Sequence, residues 1–302
     1  MGKPDLLDQR AIASAGKYMG HVAWPTVILG LALAVTYLVL VILTLAGTLP
    51  LWIAVPTVAF VTYQSYTILH DAVHGSIGGN VRAFRWLNRA MGYIAAWITM
   101  IPFTAHRYEH MAHHRYANDA ERDPDFHMGA MGDSPLAPVR IALRAWFSQF
   151  VYYGKERWRD ASPRQNAMLC LEVAAALLPR LVVILAGFWL EGLALFVLAW
   201  LIGAMVLIYL FAYVVHRPHE QVGRYVDTST ILPPESGPLR AVVNGLWLFQ
   251  NYHSIHHLFP RVPFYRYAEL YEDIEDILEA RQAPIYRISE RGLERVASET
   301  VA

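Results

Sequence analysis

The chain has a single cysteine, Cys170, in 302 residues. No internal disulfide can form, so the fold needs no oxidising compartment, and cysteine-rich zinc sites and iron–sulfur clusters are excluded. Charge is also scarce. Asp, Glu, Lys and Arg make up 17% of the residues, where an ordinary soluble domain carries about 25%. The 25 basic and 25 acidic side chains cancel, which leaves no global field to attract nucleic acid. The N-terminal stretch MGKPDLLDQRAIASAGKYMGHVAWP lacks the charged-then-apolar layout of a secretory signal.

Apolar residues fill the space that charge leaves. They make up 55% of the chain, and the mean hydropathy is +0.28. Both values point to an integral membrane protein. A spanning helix needs about 20 mostly apolar residues. Four stretches meet that length: 25–47, 50–69, 168–190 and 193–215. They fall into two close pairs, with turns expected near Thr48-Leu49 and Glu191-Gly192. Neither turn carries Lys or Arg, and nearly every basic residue lies in the N-terminal tail, in 71–167 or in 216–302. The positive-inside rule assigns those three regions to the cytoplasm. Segment 91–105 is apolar but short and interrupted by Pro102, so it is expected to be interfacial or re-entrant. Glu172 and Arg180 lie two helical turns apart in the third span and are expected to face a neighbouring helix. Leu270, Ile274, Ile277 and Leu278 recur at helical spacing in 268–282, an amphipathic helix expected to pack on the rest of the cytoplasmic part. The expected fold is one all-α integral membrane domain over 1–302. It has four transmembrane helices as two hairpins, plus a cytoplasmic helical part, including 216–302, that holds a histidine-rich dimetal site.

Eleven of the thirteen histidines fall into four clusters: HDAVH (His70, His74), HRYEHMAHH (His106, His110, His113, His114), HRPH (His216, His219) and HSIHH (His253, His256, His257). Residues three and four apart share a helix face, and neutral imidazole is the commonest protein ligand for transition metals. The H-x-x-H-H spacing occurs twice, and His70, His74 and His216 stand at span ends. Nine residues are therefore expected to ligate two metal ions: His70, His74, His110, His113, His114, His216, His253, His256 and His257. Leaving so many polar rings buried without a ligand would be costly. His106 and His219 are expected to sit beside the metals rather than on them, since Pro218 breaks helical geometry after His216. His21 and His127 stand apart and read as ordinary.

Metal-bound histidines usually donate their other N–H to a carboxylate or carbonyl. Asp71, Glu109, Asp123, Asp125 and Glu220 are candidates for that role, and Asn251 is a candidate for a metal-side hydrogen bond or a helix cap. Asp123-Pro124-Asp125-Phe126 reads as an ordered turn. Tyr66, Trp86, Trp97, Phe103, Trp247 and Phe249 are candidates to line an apolar channel, with ordinary helix packing as the alternative. Arg107, Arg115 and Arg122 need no role beyond solvated surface charge. Imidazole suits zinc, copper, iron and nickel alike, so the ligands alone do not choose the metal. Zinc would carry out no redox chemistry, and zinc-dependent hydrolysis of a lipid is the alternative it leaves open. The Glu-x-x-His pattern of soluble di-iron bundles is absent.

The boxes HDAVH, HMAHH and HSIHH, set against two hairpins of apolar spans, resemble the membrane fatty acid desaturase/hydroxylase superfamily over roughly residues 50–267. The stretches HRYANDAERDPDF (114–126), HRPHEQVGRYVDT (216–228) and NYHSIHHLFPRVPFYRY (251–267) are similar to its carotenoid-modifying branch. The resemblance is first to desaturase-like β-carotene hydroxylases and next to β-carotene ketolases. His216 is similar to the ninth ligand of that branch. Acyl desaturases more often place Asn or His where Ala212 stands here.

The resemblance implies a non-haem enzyme with two iron ions that activates O2 at a cytoplasm-facing site. It also implies a separate electron donor such as ferredoxin, rubredoxin or a cytochrome. The expected reaction is hydroxylation of a carotenoid ring. Carotenoid ketone formation and fatty-acyl desaturation or hydroxylation remain alternatives, because the boxes are common to all of them. The expected location is the inner (cytoplasmic) membrane, multi-pass, with the metal site and both termini cytoplasmic.

Overall fold

The computed structural model describes residues 5–234 and 237–296. Among these residues the chain is mostly helical. The helices are α1 (Leu6–Gly16), α2 (Trp24–Leu45), α3 (Leu51–His74), α4 (Trp86–Thr99), α5 (Phe103–Tyr116), α6 (Ala137–Glu156), α7 (Pro163–Leu185), α8 (Trp189–Tyr213), α9 (Pro238–Trp247), α10 (His253–Leu258) and α11 (Tyr267–Ala280).

Among the described residues, three helices are long and apolar enough to cross a membrane: α2, α7 and α8. Their outer faces expose Ile28, Val35 and Ile42 on α2, Leu178, Val182 and Leu185 on α7, and Leu193 and Val197 on α8. Such faces suit hydrocarbon better than water. Helix α3 has 24 residues, but Thr57, Thr62, Gln64, Ser65 and Thr67 lower its hydropathy below that of the other three. It is the central helix instead. It packs on α2, α4 and α8, and every residue from Val61 to His74 is buried. Close contact with α8 depends on Gly203, where a Cβ would stand 2.7 Å from the Ala59 carbonyl oxygen.

The first hairpin turns between Leu45 and Leu51, as expected. The second turns at 186–188 rather than at Glu191-Gly192. Gly187 adopts φ 104° and ends α7, whereas the Gly192 N–H donates to the Phe188 carbonyl at 2.8 Å inside α8. The 91–105 segment is split: α4 stops at Thr99, Met100 turns left-handed (φ 56°), and Pro102 precedes α5. Glu172 reaches across from α7 to start α5, its carboxylate accepting from the Thr104 N–H at 3.2 Å and from the Thr104 hydroxyl. Arg180 is buried and donates to the Trp97 carbonyl at 2.7 Å and the Tyr37 hydroxyl at 3.1 Å. Both charges therefore face neighbouring helices.

The all-α expectation needs one correction. A small sheet forms from β1 (Thr230–Leu232), β2 (Ile285–Ser289) and β3 (Gly292–Arg295), with β1 parallel to β2 and β2 antiparallel to β3. These strands are too short for alternation to reveal them, and β1 is buried at all three positions. Helix α11 buries Leu270, Ile274, Ile277 and Leu278 in a core shared with Ala11 and Ala15 of α1 and Ile255 of α10, as its periodicity requires.

Candidate metal centre

Helix α3 delivers His70 and His74 one turn apart, and α5 delivers His110, His113 and His114. The short helix α10 delivers His253, His256 and His257, and the turn after α8 delivers His216. Consecutive residues on a helix point about 100° apart. Each His-His pair therefore divides between two destinations. The ring nitrogens of His70, His74, His110, His114 and His256 gather within 4.8 Å of one another, and those of His113, His216 and His257 form a second such group. The groups are neighbours: the His114 and His257 rings stack at 4.2 Å between centroids. His253 lies outside both tight groups but flanks the second, its ring 4.7 Å from that of His216 and 4.8 Å from that of His257.

The donor set fits a cation in each group. In the first, Nε2–Nε2 separations are 2.9 Å for His74 and His110, 3.1 Å for His110 and His114, and 2.9 Å for His114 and His256. His110 and His114 thus each meet two neighbours through one nitrogen. A ring nitrogen carries one proton or one lone pair, so hydrogen bonds cannot satisfy both contacts, whereas a shared ion does. Nitrogens about 2.0–2.1 Å from one ion and at right angles stand about 2.9 Å apart. Neither nitrogen of His70 or of His257 has a hydrogen-bond partner despite burial. In the second group, His113 Nδ1 lies 2.9 Å from Asp123 Oδ1, and His216 Nδ1 donates to the Ala212 carbonyl at 2.8 Å. Their Nε2 atoms face each other at 2.9 Å. A proton or a metal ion has to sit between those two lone pairs.

Electrostatics agree. Burial pushes His110, His114, His256 and His257 well below the ordinary imidazole value, and neighbouring imidazoles add to the shift. Their lone pairs are therefore free for a metal. At His113 burial acts the same way, but Asp123, Asp125 and Asp227 outweigh it and raise its pKa to about 9. A charge arrangement that favours a proton there also favours a metal cation.

Of the candidate supporting residues, Asp123 holds His113, and its turn is ordered by the Asp125 N–H donating to Asp123 Oδ1 at 2.9 Å. The Asp125 carboxylate approaches His113 Nδ1 at 3.9 Å. Asp71 accepts from the Thr26 hydroxyl, and Glu109 is buried beside Ser148 and Gln149 of α6. Glu220 is exposed. Asn251 donates to the Ile231 carbonyl of β1 and caps nothing. His127 contacts the Pro124 carbonyl, and His21 is exposed. His106 and His219 belong to neither group. Arg107, Arg115 and Arg122 are exposed, and Arg122 pairs with Asp119.

A partly open cavity reaches both groups, touching His110 of the first and His113 and His216 of the second. Among the six aromatic candidates only Tyr66 lines it. Trp146, Trp200, Phe126 and Phe211 form its other aromatic walls. Trp146 donates from Nε1 to the Met100 carbonyl at 2.7 Å and Trp200 to the Thr99 carbonyl at 2.8 Å. The break between α4 and α5 thus anchors both rings. Tyr267, whose hydroxyl lies 2.8 Å from His256 Nδ1, and Gln149, whose Oε1 lies 2.9 Å from His106 Nδ1, also support the site and were not singled out from the sequence. Gln149 had a legible signal: it falls on the same helical stripe as Ala142 and Ala145, a polar residue on an apolar face.

Residues 46–289 match the fatty acid desaturase family, and the chain belongs to that family of membrane enzymes. It is 32% identical to a β-carotene ketolase of Paracoccus sp. (strain PC1) over 227 residues, which cover 71% of this chain and 77% of the relative. A β-carotene ketolase of Paracoccus sp. (strain N81106 / MBIC 01143) is 29% identical over 67% of this chain and 71% of its own. A fatty acid conjugase of Calendula officinalis is 24% identical over 70% of this chain and 64% of its own.

Proposed function

We propose that the chain is a membrane oxygenase that inserts oxygen into a ring C–H of a carotenoid, using two iron ions held by the nine histidines named above. The observation that carries this reading is a largely apolar cavity that meets both histidine groups. It would hold a long hydrocarbon against two metal ions at once. The relatives named β-carotene ketolase bring ketone formation forward beside hydroxylation. The conjugase keeps an acyl substrate as the second reading.

Iron bound there would take up external electrons and activate O2. Overall, one oxygen atom enters the C–H bond as an alcohol. The other leaves as water, consuming two electrons and two protons. A second turnover at the same carbon gives a geminal diol, which loses water to a ketone. The chain's own residues bind and orient. Asp123 and the Ala212 carbonyl hold the Nδ1 protons of His113 and His216, so that Nε2 faces the metal, and Tyr267 sets the His256 ring. Ile101, Ala142, Leu207 and Ile208, with the anchored tryptophans, exclude water and fix one C–H near the centre. The electrons come from a separate donor such as ferredoxin or rubredoxin.

The same reading takes α3 as a fourth span, with α4 interfacial, the histidine centre and both termini on the cytoplasmic side, and the inner membrane as the location. The test is expression in a bacterium that accumulates β-carotene, with pigments and fatty acids profiled by mass spectrometry. Pigments that gain oxygen support the reading, and their masses separate alcohol from ketone. Unchanged pigments with altered fatty acids overturn it in favour of the acyl reading.

A further inference from the structure

Among the polar groups of the cavity wall outside the two histidine groups, His106 stands nearest the first group. His106 sits on α5 one turn ahead of His110, is 3% exposed and lines the cavity. Its Nδ1 meets Gln149 Oε1 at 2.9 Å, while Gln149 Nε2 donates to the Ala145 carbonyl at 3.4 Å. The Ala145 carbonyl and the neighbouring Glu109 carboxyl both favour the amide nitrogen on their side, so the amide oxygen faces His106. That oxygen can only accept, which puts the imidazole proton on Nδ1 and leaves the lone pair on Nε2. Nε2 is buried and has no partner. The ring stacks on His110 with centroids 5.2 Å apart, which places this free acceptor beside the first histidine group. The surrounding wall (Tyr66, Ile101, Ala145, Phe211) is mostly apolar.

A bound hydrocarbon would seal Nε2 away from water with nothing to accept from, which costs free energy. A bound alcohol would satisfy it. We propose that His106 Nε2 is the subsite for a hydroxyl group on the substrate. The cavity then accepts an already hydroxylated ring in preference to the parent hydrocarbon, and retains a first alcohol product for further oxidation. This inference rests on the carotenoid reading above.

The experiment uses membranes containing the full chain, loaded with iron and supplied with reductant. KM and kcat are measured separately for β-carotene and for its ring-hydroxylated derivative, with iron content determined in parallel. The wild type is expected to favour the alcohol in KM by about tenfold, the worth of one buried hydrogen bond. His106→Phe should abolish that preference by raising the KM for the alcohol, with iron content unchanged. Gln149→Leu, which frees the imidazole tautomer, should weaken the preference. Gln149→Glu, which still accepts from Nδ1, should keep it. If His106→Phe does not fold, the contrast between the two Gln149 variants decides. Equal effects on both substrates overturn the proposal, as does loss of iron in His106→Phe, which would make His106 a ligand. A wild type that converts fatty acids and neither pigment overturns the carotenoid reading itself, and the proposal with it.

Discussion

His113 links a carboxylate to its neighbouring imidazole: Nδ1 stands 2.9 Å from Asp123 Oδ1, and Nε2 stands 2.9 Å from His216 Nε2. The carboxylate is itself held, because Asp123 Oδ2 accepts from the Asn118 N–H at 2.8 Å. Supporting carboxylates of this kind typically carry about 10–100-fold in metal affinity or activity. Asp123→Leu is expected to lose iron to a chelator about 10–100-fold more readily. Asp123→Asn keeps an acceptor oxygen and should lose less. Chelator competition followed by iron assay checks both.

Trp200 and Trp146 meet edge to face at 6.0 Å and are tied to successive carbonyls, Thr99 and Met100. Displacing a substrate by about 1 Å can cost about 100-fold. Trp200→Ala is expected to reduce kcat/KM by about 10–100-fold and to broaden the products, with iron content preserved. Product profiling beside iron assay separates this outcome from loss of the metal centre.

Arg180 is a structural charge. Its guanidinium lies 4.8 Å from the Trp97 ring centroid and donates to the Trp97 carbonyl. Each hydrogen bond from a charged donor contributes about 1.5–3 kcal/mol. Arg180→Leu is expected to destabilise the protein by about 2–3 kcal/mol. Lysine, a point charge without the planar fork, should not rescue it. Thermal unfolding in detergent reads the effect.

The clustering of the histidines was legible because i, i+3 and i, i+4 spacings on a helix determine which side chains converge. The division of His113 from His114, and of His256 from His257, follows from the same helical geometry. His253 begins α10 and lies outside the two tight groups, yet its ring is 4.7 Å from that of His216, so its place among the ligands remains part of the proposal. The cavity was far less legible. Trp97, Trp247 and Phe249 lie near the boxes in sequence, but neighbouring residues on a helix face different ways. The cavity walls come instead from Trp146 and Trp200, far along the chain. The turn at 186–188 was hidden because Gly187 and Gly192 both look able to break a helix, and only the backbone reveals which one takes the left-handed conformation.

The proposed membrane topology is tested at the helix ends. A reporter inserted after Gly187 is expected to face away from the cytoplasm, and one fused to the C-terminus is expected to face it. Reporters on the same side would contradict the hairpin arrangement.

The central claim is a metal centre built from two adjoining histidine groups. Its most direct measurement is the metal content of the purified full chain, beside His114→Ala and His216→Ala. Two iron ions per chain are expected, with loss in both variants while the proteins remain folded. Wild-type protein without stoichiometric transition metal, or variants that retain all of it, would contradict the account.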